Sequence, residues 1–455
     1  MKHHHCDIAI VGAGIVGIAT AYYLKKLRPE TSVLLIDAAE PMALTSAQSG
    51  ENYRNWWPHP IMTAFTDRSI DLMEDIARQT DNLINMNRRG YLLATRSDNT
   101  EKLMQELVYG YSELQQSEIR VHSSTAANTT YKKPDSPVWE SAPAGVDVIG
   151  DQSLIKACYP YFDHSLKTVV HIRRAGAISA QQMGQYMLQH FKQASGEFIQ
   201  AEVSAIEVSN CFQIQTKNNA ASIKAERIVN AAGPFIKEIA AMLSVDLPVN
   251  NTLQQKIAFE DTAKAIRRQM PFAIDLDAQH IDWTEEDRQL LAESSEHGWL
   301  TTELPGAIHC RPEGGDNGSW LKLGWAFNNT FAEPTRTPAL LDTFPEIVLR
   351  GAARLNPSLK QYYSQLPTSI HHYGGYYTLT DENWPLIGRM KTEGSYVAGA
   401  MSGFGTMASC AAGELCAQTI MEADLPDYAF ALSPARYNDD KLMAQIHALS
   451  QRGIL

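Results

Sequence analysis

Residues 6–37 contain two apolar runs with a segment of helical spacing between them. The first run ends near Val11, apolar residues then recur at helical intervals from Ile18 to Leu24, and the run "TSVLLID" ends at Asp37. Short apolar runs bounded by turn residues are typical of buried strands, whereas a 3.6-residue period is typical of a helix. The stretch therefore predicts one strand–helix–strand unit.

The same patterns predict further elements along the chain. Residues 395–423 repeat the order of strand, glycine turn and helix, and residues 97–150 are polar, so we expect loop-rich material there. Helices are expected over 63–79 and 181–194, and strands within 88–96, 197–208, 211–217, 221–235, 252–261, 307–313 and 318–327.

Composition and charge narrow the class of protein. The chain has 455 residues, which at roughly 150 residues per domain suggests two or three domains. Its 44% hydrophobic and 20% charged residues are typical of a folded, soluble protein. A formal net charge of −12 has the wrong sign for binding phosphate backbones, so we expect no nucleic-acid partner. The six cysteines form no C-x-x-C pair, so we expect a reducing compartment, no disulfide scaffold and no metal site.

The N-terminus imitates a signal peptide, because Lys2 and three histidines precede the apolar residues 8–21. The alternative, which we favour, treats that stretch as the first strand and helix, since three glycines interrupt it and it is shorter than the roughly 18 residues that span a bilayer. The histidines are then expected to be a frayed, solvated end or a tag remnant. No other segment is a membrane-span candidate, so we expect a cytoplasmic protein.

A glycine motif lies at the turn of the predicted strand–helix–strand unit. Gly12-x-Gly14-x-x-Gly17 follows the first strand, and Asp37 ends the second strand. Such a turn brings backbone close to a pyrophosphate, the third glycine lets helix and strand pack closely, and the carboxylate can accept hydrogen bonds from a ribose. The alternative is a turn that serves only the helix–strand crossing. The residues at the start of the helix, whose end attracts phosphate charge, are Ile15 and Val16.

Segments at both ends and in the middle of the chain resemble one known family. In chain order they are "IAIVGAGIVGIATAYYL", "VLLID", "RIVNAAGPF", "YYTLTDENWPLIG" and "YVAGAMSGFG". They are similar to the FAD-dependent amine oxidoreductases that include D-amino acid oxidase, sarcosine oxidase and glycine oxidase. The resemblance implies an α/β fold with a discontinuous Rossmann-like FAD-binding domain and an inserted mixed-sheet α+β substrate domain that roofs the flavin. The FAD-binding domain would comprise 1–85, 172–235 and 366–455, and the substrate domain 86–171 and 236–365.

By position, the resemblance also implies contacts to FAD. Val203 would give backbone contacts to adenine, Gly233 would lie near the dinucleotide, and Ser46 would lie on the loop under the pyrophosphate. A second glycine turn precedes the C-terminal helix, whose N–H groups could face the flavin pyrimidine oxygen. An ordinary glycine turn is the alternative. The residues of this turn that we expect at the flavin are Gly403, Gly405 and Thr406.

The electron source and the attachment of FAD follow from what the sequence lacks. Only one G-x-G-x-x-G is present and the G-D-A signature of aromatic-hydroxylating flavoproteins is missing, so we expect an organic substrate, not NAD(P)H, to supply electrons. Residues 371–380 contain no cysteine and residues 45–54 contain no histidine, so the resemblance implies non-covalent FAD. Met407 stands where sarcosine oxidases have a lysine for the substrate carboxylate, which argues against sarcosine itself.

Four residues are candidates for contact with the substrate. Arg54 and Arg311 carry guanidinium groups suited to bidentate carboxylate capture, with an ordinary salt bridge as the alternative for each. Lys256 could be a charge near the flavin that assists oxygen reduction, or a snorkelling surface lysine. Tyr377 belongs to an aromatic cluster of which a part would line the substrate cavity.

The resemblance implies oxidation of the C–N bond of an amino acid or secondary amine by hydride transfer to flavin N5, with oxygen or another electron acceptor as the second partner. Two alternatives remain open. A FAD-dependent 2-hydroxy acid dehydrogenase would share the carboxylate grip and would need a base, for which His371 or His372 is available. A flavoprotein subunit that needs a partner would bind FAD and stay inactive alone.

Overall fold

The computed structural model describes residues 2–123, 129–219 and 221–448. Its strands are β1 (Lys2–Val11), β2 (Val33–Asp37), β3 (Asn52–Arg54), β4 (Tyr91–Thr95), β5 (Ile119–His122), β6 (Val146–Ile149), β7 (Thr168–Ile172), β8 (Ala175–Ala177), β9 (Glu197–Gln200), β10 (Val203–Val208), β11 (Phe212–Thr216), β12 (Ala221–Asn230), β13 (Asn250–Glu260), β14 (Phe272–Asp275), β15 (Ile308–Glu313), β16 (Trp320–Trp325), β17 (His371–Leu379), β18 (Leu386–Arg389) and β19 (Ser395–Gly399).

The helices alternate with these strands along most of the chain. They are α1 (Ile15–Leu27), α2 (Pro60–Gln79), α3 (Glu101–Gly110), α4 (Glu113–Gln116), α5 (Gln152–Cys158), α6 (Ala180–Gln193), α7 (Ile236–Met242), α8 (Glu285–Glu293), α9 (Phe344–Ala353), α10 (Gly405–Ile420), α11 (Ala429–Leu432) and α12 (Asp440–His447). Among the helices of the described ranges, none is both long and apolar enough for a bilayer crossing.

The first sheet has eight strands and contains the predicted strand–helix–strand unit. Its order is β10-β11-β12-β1-β2-β9, with β19 beside the end of β12 and β18 beside β19. The central strands β1, β2, β12 and β19 run parallel. Parallel strands need covered faces, and α1, α2, α6 and α10 cover one face with an apolar core. The elements predicted for residues 6–37 and 395–423 are confirmed.

The second sheet has nine strands in the order β17-β13-β16-β15-β14-β4-β7-β6-β5. It is mixed, because β14 is parallel to β4 and β5 is parallel to β6, while the other neighbours are antiparallel. Together with the first sheet, it confirms the α/β fold with two sheets of different type. A short ribbon of β3 and β8 stands apart from both sheets.

Side chains on the central strands of the second sheet alternate between two environments, as the pleat requires. Ile257, Cys310 and Leu323 are buried in an apolar core that also contains α9. Lys256 and Arg311 occupy the positions between them and belong to the opposite face. That face therefore carries charge, and it borders the cavities described below.

One sequence prediction differs from the structure, and a second is incomplete. The histidines at positions 3–5 are not a frayed end, because they pair with residues 222–224 within β1 and β12. Residues 97–150 are loop-rich as predicted, but they also include α3, α4, β5 and β6; residues 124–128 lie outside the described residues. β5 lies at the edge of the sheet, where a strand needs little apolar surface. β6 is buried but only four residues long, too short for a clear pattern.

The division of the chain into an FAD-binding and a substrate domain remains a prediction, with two departures at its boundaries. The predicted boundary at residue 366 would place β17 with the FAD-binding segments, but β17 pairs with β13 of the second sheet. The boundary at residue 236 would place α7 with the substrate domain, but Ile236 and Ile239 pack in the core of the first sheet. The position of β17 depends on long-range strand pairing, and that of α7 depends on long-range packing. Local sequence patterns specify neither.

Candidate active site

The glycine turn between β1 and α1 is fixed by close packing. Gly12 has φ +111°, and a Cβ atom there would lie 2.2 Å from the carbonyl oxygen of Ala231. A Cβ atom on Gly17 would lie 1.9 Å from the carbonyl oxygen of Gly12. Neither position accepts a side chain, because real Cβ contacts are never that short. Gly17 therefore lets the helix approach the strand, and it does not line the cavities described below.

Gly14 has a different environment from the other two glycines. A Cβ atom there would meet only the Oγ of Ser46, at 3.2 Å, and would otherwise face a cavity. The Oγ of Ser46 accepts a hydrogen bond from the N–H of Ile15 at 2.9 Å. Ile15 and Val16, at the positive end of the α1 dipole, line this cavity. The first turn of α1 contains no acidic residue, so no carboxylate of that turn offsets this positive end.

Three cavities follow one another from the end of β2 to the second sheet. The first cavity contains Gly12, Asp37, Val203 and Gly233 in its wall. The second cavity shares Gly14, Ser46 and Gly233 with the first and continues along Ile15, Val16, Tyr377, Gly405 and Thr406. The third cavity shares Lys256, Tyr377, Gly403 and Thr406 with the second and reaches Glu51, Tyr91, His309 and Met407. Neighbouring cavities therefore share wall residues and follow one another in a row.

At the outer end of this row of cavities, Asp37 fixes the glycine turn. Its Oδ2 accepts a hydrogen bond from the N–H of Ala13 at 2.7 Å, and its Oδ1 accepts one from the N–H of Ala39 at 2.9 Å. Gly233 has φ +58°, and no atom lies within 4 Å of the Cβ it would carry. The first cavity is thus open at Gly233 and bordered by Val203.

The second glycine turn lies at the start of α10. Gly403 has φ +87°, and a Cβ atom there would lie 2.4 Å from the ring of Tyr377. Thr406, in the first turn of α10, has its Oγ1 2.7 Å from the Oγ of Ser49. The N-terminal end of α10 therefore borders both the second and the third cavity.

Lys256 lies where the second and third cavities meet. It is 7% exposed, and its Nζ lies 5.4 Å from the centre of the Tyr377 ring. Its ammonium group has no carboxylate partner and no hydrogen bond among the described residues. The alternative of a snorkelling surface lysine is wrong, because the side chain is buried beside Tyr377.

Arg54 is buried behind the third cavity and does not line it. It is 1% exposed, and its Cζ lies 5.0 Å from the centre of the Trp57 ring and 5.8 Å from that of Tyr91. Its Nε and Nη1 have no hydrogen-bond partner among the described residues. Burial lowers the pKa of the guanidinium to about 10. Tyr91, which does line the third cavity, separates Arg54 from it.

Arg311 is part of an ion-pair cluster beside the third cavity. Its Nη2 lies 2.6 Å from Oε2 of Glu313, and it donates a hydrogen bond to the carbonyl oxygen of Gly50 at 3.0 Å. Lys322 bridges Glu313 at 2.9 Å and Glu51 at 3.1 Å. Burial raises the pKa of the Glu313 carboxyl, but the positive charges of Arg311 and Lys322 lower it, and the net shift of the pKa is downward.

Glu51, His309 and Lys322 were not predicted as site residues from the sequence. His309 lines the third cavity, and burial together with the charge of Lys256 lowers its pKa to about 3, so the imidazole is neutral. The sequence did contain a signal for His309 and Lys322, because polar residues at every second position of the two predicted strands indicate a polar sheet face. His309, Arg311 and Glu313 share this alternation on β15.

His371 and His372 line none of the three cavities. His371 is exposed at the start of β17. His372 has its Nε2 2.9 Å from Oε1 of Gln255, and its ring stacks on Phe344 with centroids 5.6 Å apart. Neither histidine is therefore placed to act as a base at this site.

The residues fit an extended dinucleotide. The glycine turn leaves space at Gly14 and Gly233, the start of α1 offers N–H groups to a pyrophosphate, and the carboxylate of Asp37 stands at the end of β2. The row of cavities then leads past the start of α10 to a polar sheet face. Parallel central strands with this turn, and a mixed second sheet over the inner end of the first, define a dinucleotide-dependent oxidoreductase.

The chain belongs to the family of FAD-dependent oxidoreductases, whose family model matches residues 7–419. FAD is therefore the cofactor, and the protein is an enzyme of this class. No curated protein sequence matches the chain significantly.

Solved structures share the whole fold at low sequence identity. L-proline dehydrogenase from P. horikoshii is 17% identical with a TM-score of 0.71, and the match covers 96% of this chain and 99% of that chain. Glycine oxidase from Geobacillus kaustophilus is 16% identical with a TM-score of 0.68, covering 94% and 98%. L-α-glycerophosphate oxidase from Mycoplasma pneumoniae is 13% identical with a TM-score of 0.67, covering 94% and 98%. At these identities the likeness shows the fold alone.

Proposed function

We propose that the protein oxidises the C–N bond of an amino acid or secondary amine that carries a carboxylate. The observation that carries this proposal is uncompensated positive charge at the third cavity. Lys256 and Arg54 are both buried, and neither pairs with a carboxylate of the described residues. Burying an unpaired ion is costly. An anionic group of the substrate would complete the site.

Lys256 is the cation placed for direct contact with that carboxylate, because it lines the third cavity. Arg54 lies behind the Tyr91 ring and adds a second positive charge without direct contact. Met407, on the wall of the same cavity, adds an apolar surface where a lysine would add a third cation. This arrangement supports a carboxylate grip that differs from that of sarcosine oxidases.

FAD, when bound, supplies the ring that accepts a hydride at N5 from the carbon next to the substrate nitrogen. The chain supplies position and environment. Phe272, Tyr91 and Met407 make the third cavity partly apolar, and desolvation there favours the neutral form of the amine. The carboxylate grip would orient the substrate and align its C–H bond toward the second cavity.

The weak basicity of the imidazole in the third cavity favours an amine over a 2-hydroxy acid as the substrate. Oxidation of a hydroxy acid calls for a base that takes the hydroxyl proton. His309 lines the third cavity, but its pKa of about 3 makes it a poor base, and His371 and His372 lie elsewhere. A neutral amine transfers its hydride without such a base.

Lys256 also borders the second cavity, so its charge reaches both spaces. A fixed positive charge stabilises negative charge that develops on oxygen during its reduction. We propose this second role for Lys256, with oxygen as an electron acceptor. Attachment of FAD would be non-covalent, since neither of the first two cavities contains a cysteine or histidine among its described wall residues.

The test is anaerobic reduction of the yellow holoenzyme by matched panels of amino acids, secondary amines and 2-hydroxy acids. We expect bleaching of the flavin absorbance by at least one amine and by none of the hydroxy acids. Bleaching by hydroxy acids alone would contradict the proposal. A flavoprotein that bleaches with dithionite and with no member of either panel would support the alternative of a subunit that needs a partner.

A further inference from the structure

A fourth cavity lies on the other side of Asn52 and Phe272 from the third cavity. These two residues contribute to the walls of both cavities. We call the fourth space the arginine cavity, because its wall contains Arg89, Arg268 and Arg311. The only carboxylate in its described wall is that of Asp316. Its lining charge is therefore positive.

Two of the three arginines are held in place by main-chain oxygens. Arg89 donates from Nη1 to the carbonyl oxygens of Pro134 and Asp135, at 2.8 and 3.0 Å, and pairs through Nη2 with Asp316. Arg268 donates only to carbonyl oxygens, including that of Trp320 at 2.8 Å. Their positions are thus fixed, and the charge of Arg268 has no carboxylate partner in the described chain.

Arg311 brings an unused donor to the same cavity. The residue is 7% exposed, and its Nε has no acceptor among the described residues, although Nη2 is paired with Glu313. The Oδ1 of Asn52, at the border of the two cavities, is also buried and has no donor. Buried polar groups are normally satisfied, and a carboxylate could accept a hydrogen bond from the Nε of Arg311, whereas the Oδ1 of Asn52 calls for a donor.

We propose that the arginine cavity binds a second anionic group of the substrate, which extends there from the third cavity between Asn52 and Phe272. This inference rests on the proposed function, because it takes the first carboxylate to be held at Lys256. The substrate is then an amine with two anionic groups, such as a dicarboxylic amino acid. Guanidinium groups suit this role, since they bind carboxylates through paired, directional hydrogen bonds.

The first experiment measures anaerobic flavin reduction of the holoenzyme by matched pairs, 2-aminobutyrate against glutamate and alanine against aspartate, in both enantiomers. We expect kcat/KM for the better dicarboxylate to exceed that of its partner at least tenfold. In Arg268→Gln the ratio of dicarboxylate to monocarboxylate kcat/KM should fall at least tenfold. In Asp316→Asn, which removes the carboxylate of the wall, the ratio should rise. A ratio near one in the native enzyme overturns the inference.

The second experiment does not depend on turnover. Succinate and glutarate, which have no amine, are titrated against butyrate on the holoenzyme, and binding is read from the flavin absorbance spectrum. We expect the dicarboxylates to bind at least tenfold more tightly, and Arg268→Gln to remove that difference. This result supports the arginine cavity even if no amine is oxidised, so failure of the proposed function is recognised separately.

Two outcomes of this titration would contradict the inference. Equal binding of dicarboxylates and butyrate would show that the cavity holds no second carboxylate. Inorganic phosphate that binds without competing with glutarate would show a site for free anions instead of a substrate subsite. If Arg268→Gln does not retain FAD, Asp316→Asn is the deciding variant, and unchanged dicarboxylate binding there counts against the proposal.

Discussion

The Oδ2 atom of Asp37, at the end of β2, accepts a hydrogen bond from the N–H of Ala13 in the glycine turn, at 2.7 Å. This contact joins the end of β2 to the turn between β1 and α1. The same carboxylate is the group that we expect to accept hydrogen bonds from the ribose of FAD. Asp37 would therefore contribute to FAD binding both through the turn and through the ribose.

We expect Asp37→Ala to weaken FAD binding without abolishing it. Hydrogen bonds to a charged group are worth about 1.5–3 kcal/mol, so the Kd for FAD should rise roughly ten- to a hundredfold. The measurement is fluorescence titration of FAD with the apoprotein. Asp37→Asn keeps one acceptor oxygen, so its Kd for FAD should lie between those of the native protein and Asp37→Ala. An unchanged Kd in Asp37→Ala would show that the ribose lies elsewhere.

Gly14→Val should abolish FAD retention while the fold persists. A branched side chain would occupy the space beside Ser46 where the backbone is expected to meet the pyrophosphate. The readout is the ratio of flavin to protein after purification, with circular dichroism as the check on folding. Gly150→Ala is the matched control, because no atom lies within 4 Å of its added Cβ. Normal flavin content in Gly14→Val would contradict this placement of the pyrophosphate.

Acid precipitation of the purified protein should release all of its FAD into the supernatant. The expectation follows from the absence of cysteine and histidine in the described walls of the first and second cavities. Absorbance of the supernatant and of the redissolved pellet measures the two fractions. Flavin that remains with the pellet would show a covalent bond to another residue type.

Lys256→Met should lower kcat/KM for the best carboxylate-bearing substrate roughly ten- to a hundredfold, because a charge-assisted hydrogen bond is lost. Arg54→Met should have a smaller effect, since Tyr91 separates that guanidinium from the cavity. Both variants keep the apolar stem. Arg389→Met, on an exposed ion pair with Glu422, is the control and should retain native kcat/KM. Native kcat/KM in both test variants would contradict the carboxylate grip.

The free energy of unfolding should fall as the pH drops below about 6.5, partly because of His171. This residue is 1% exposed, accepts hydrogen bonds at Nδ1 from Tyr131 and Arg173, and has a pKa lowered to about 3 by burial and by Arg173. Below pH 6.5 the unfolded imidazole binds a proton and the folded one does not until about pH 3, so acid favours unfolding across that window.

Urea unfolding at pH 7.5 and pH 5.5 measures this dependence. His171 alone should account for a loss of about 1 kcal/mol between the two pH values. In His171→Gln the loss should therefore be smaller by about that amount, whereas replacement of the exposed His164 should leave it unchanged. Equal pH dependence in native protein and His171→Gln would contradict a neutral buried imidazole.

The candidate cofactor site was largely predictable because its parts are local in sequence. The motif from Gly12 to Gly17 contains its own turn, and the helix it opens follows at once, so spacing alone predicts where a pyrophosphate can approach. Asp37 is one short strand further on. The same holds for Gly403 and Gly405 before α10. Each part depends on backbone conformation within a few residues, which local sequence patterns describe well.

From the sequence alone we predicted the strand–helix–strand unit, the glycine turns, four of the nine strands of the second sheet and the family. The sequence does not show that Lys256 is buried between two cavities, that Arg311 pairs with Glu313, or that His309 and not His371 lines the third cavity. The period of a strand separates its two faces, but it does not say which face meets which neighbour. Pairing of strands far apart in the chain, such as β13 with β16 and β17, sets those neighbours and with them the burial, charge and pKa of each side chain.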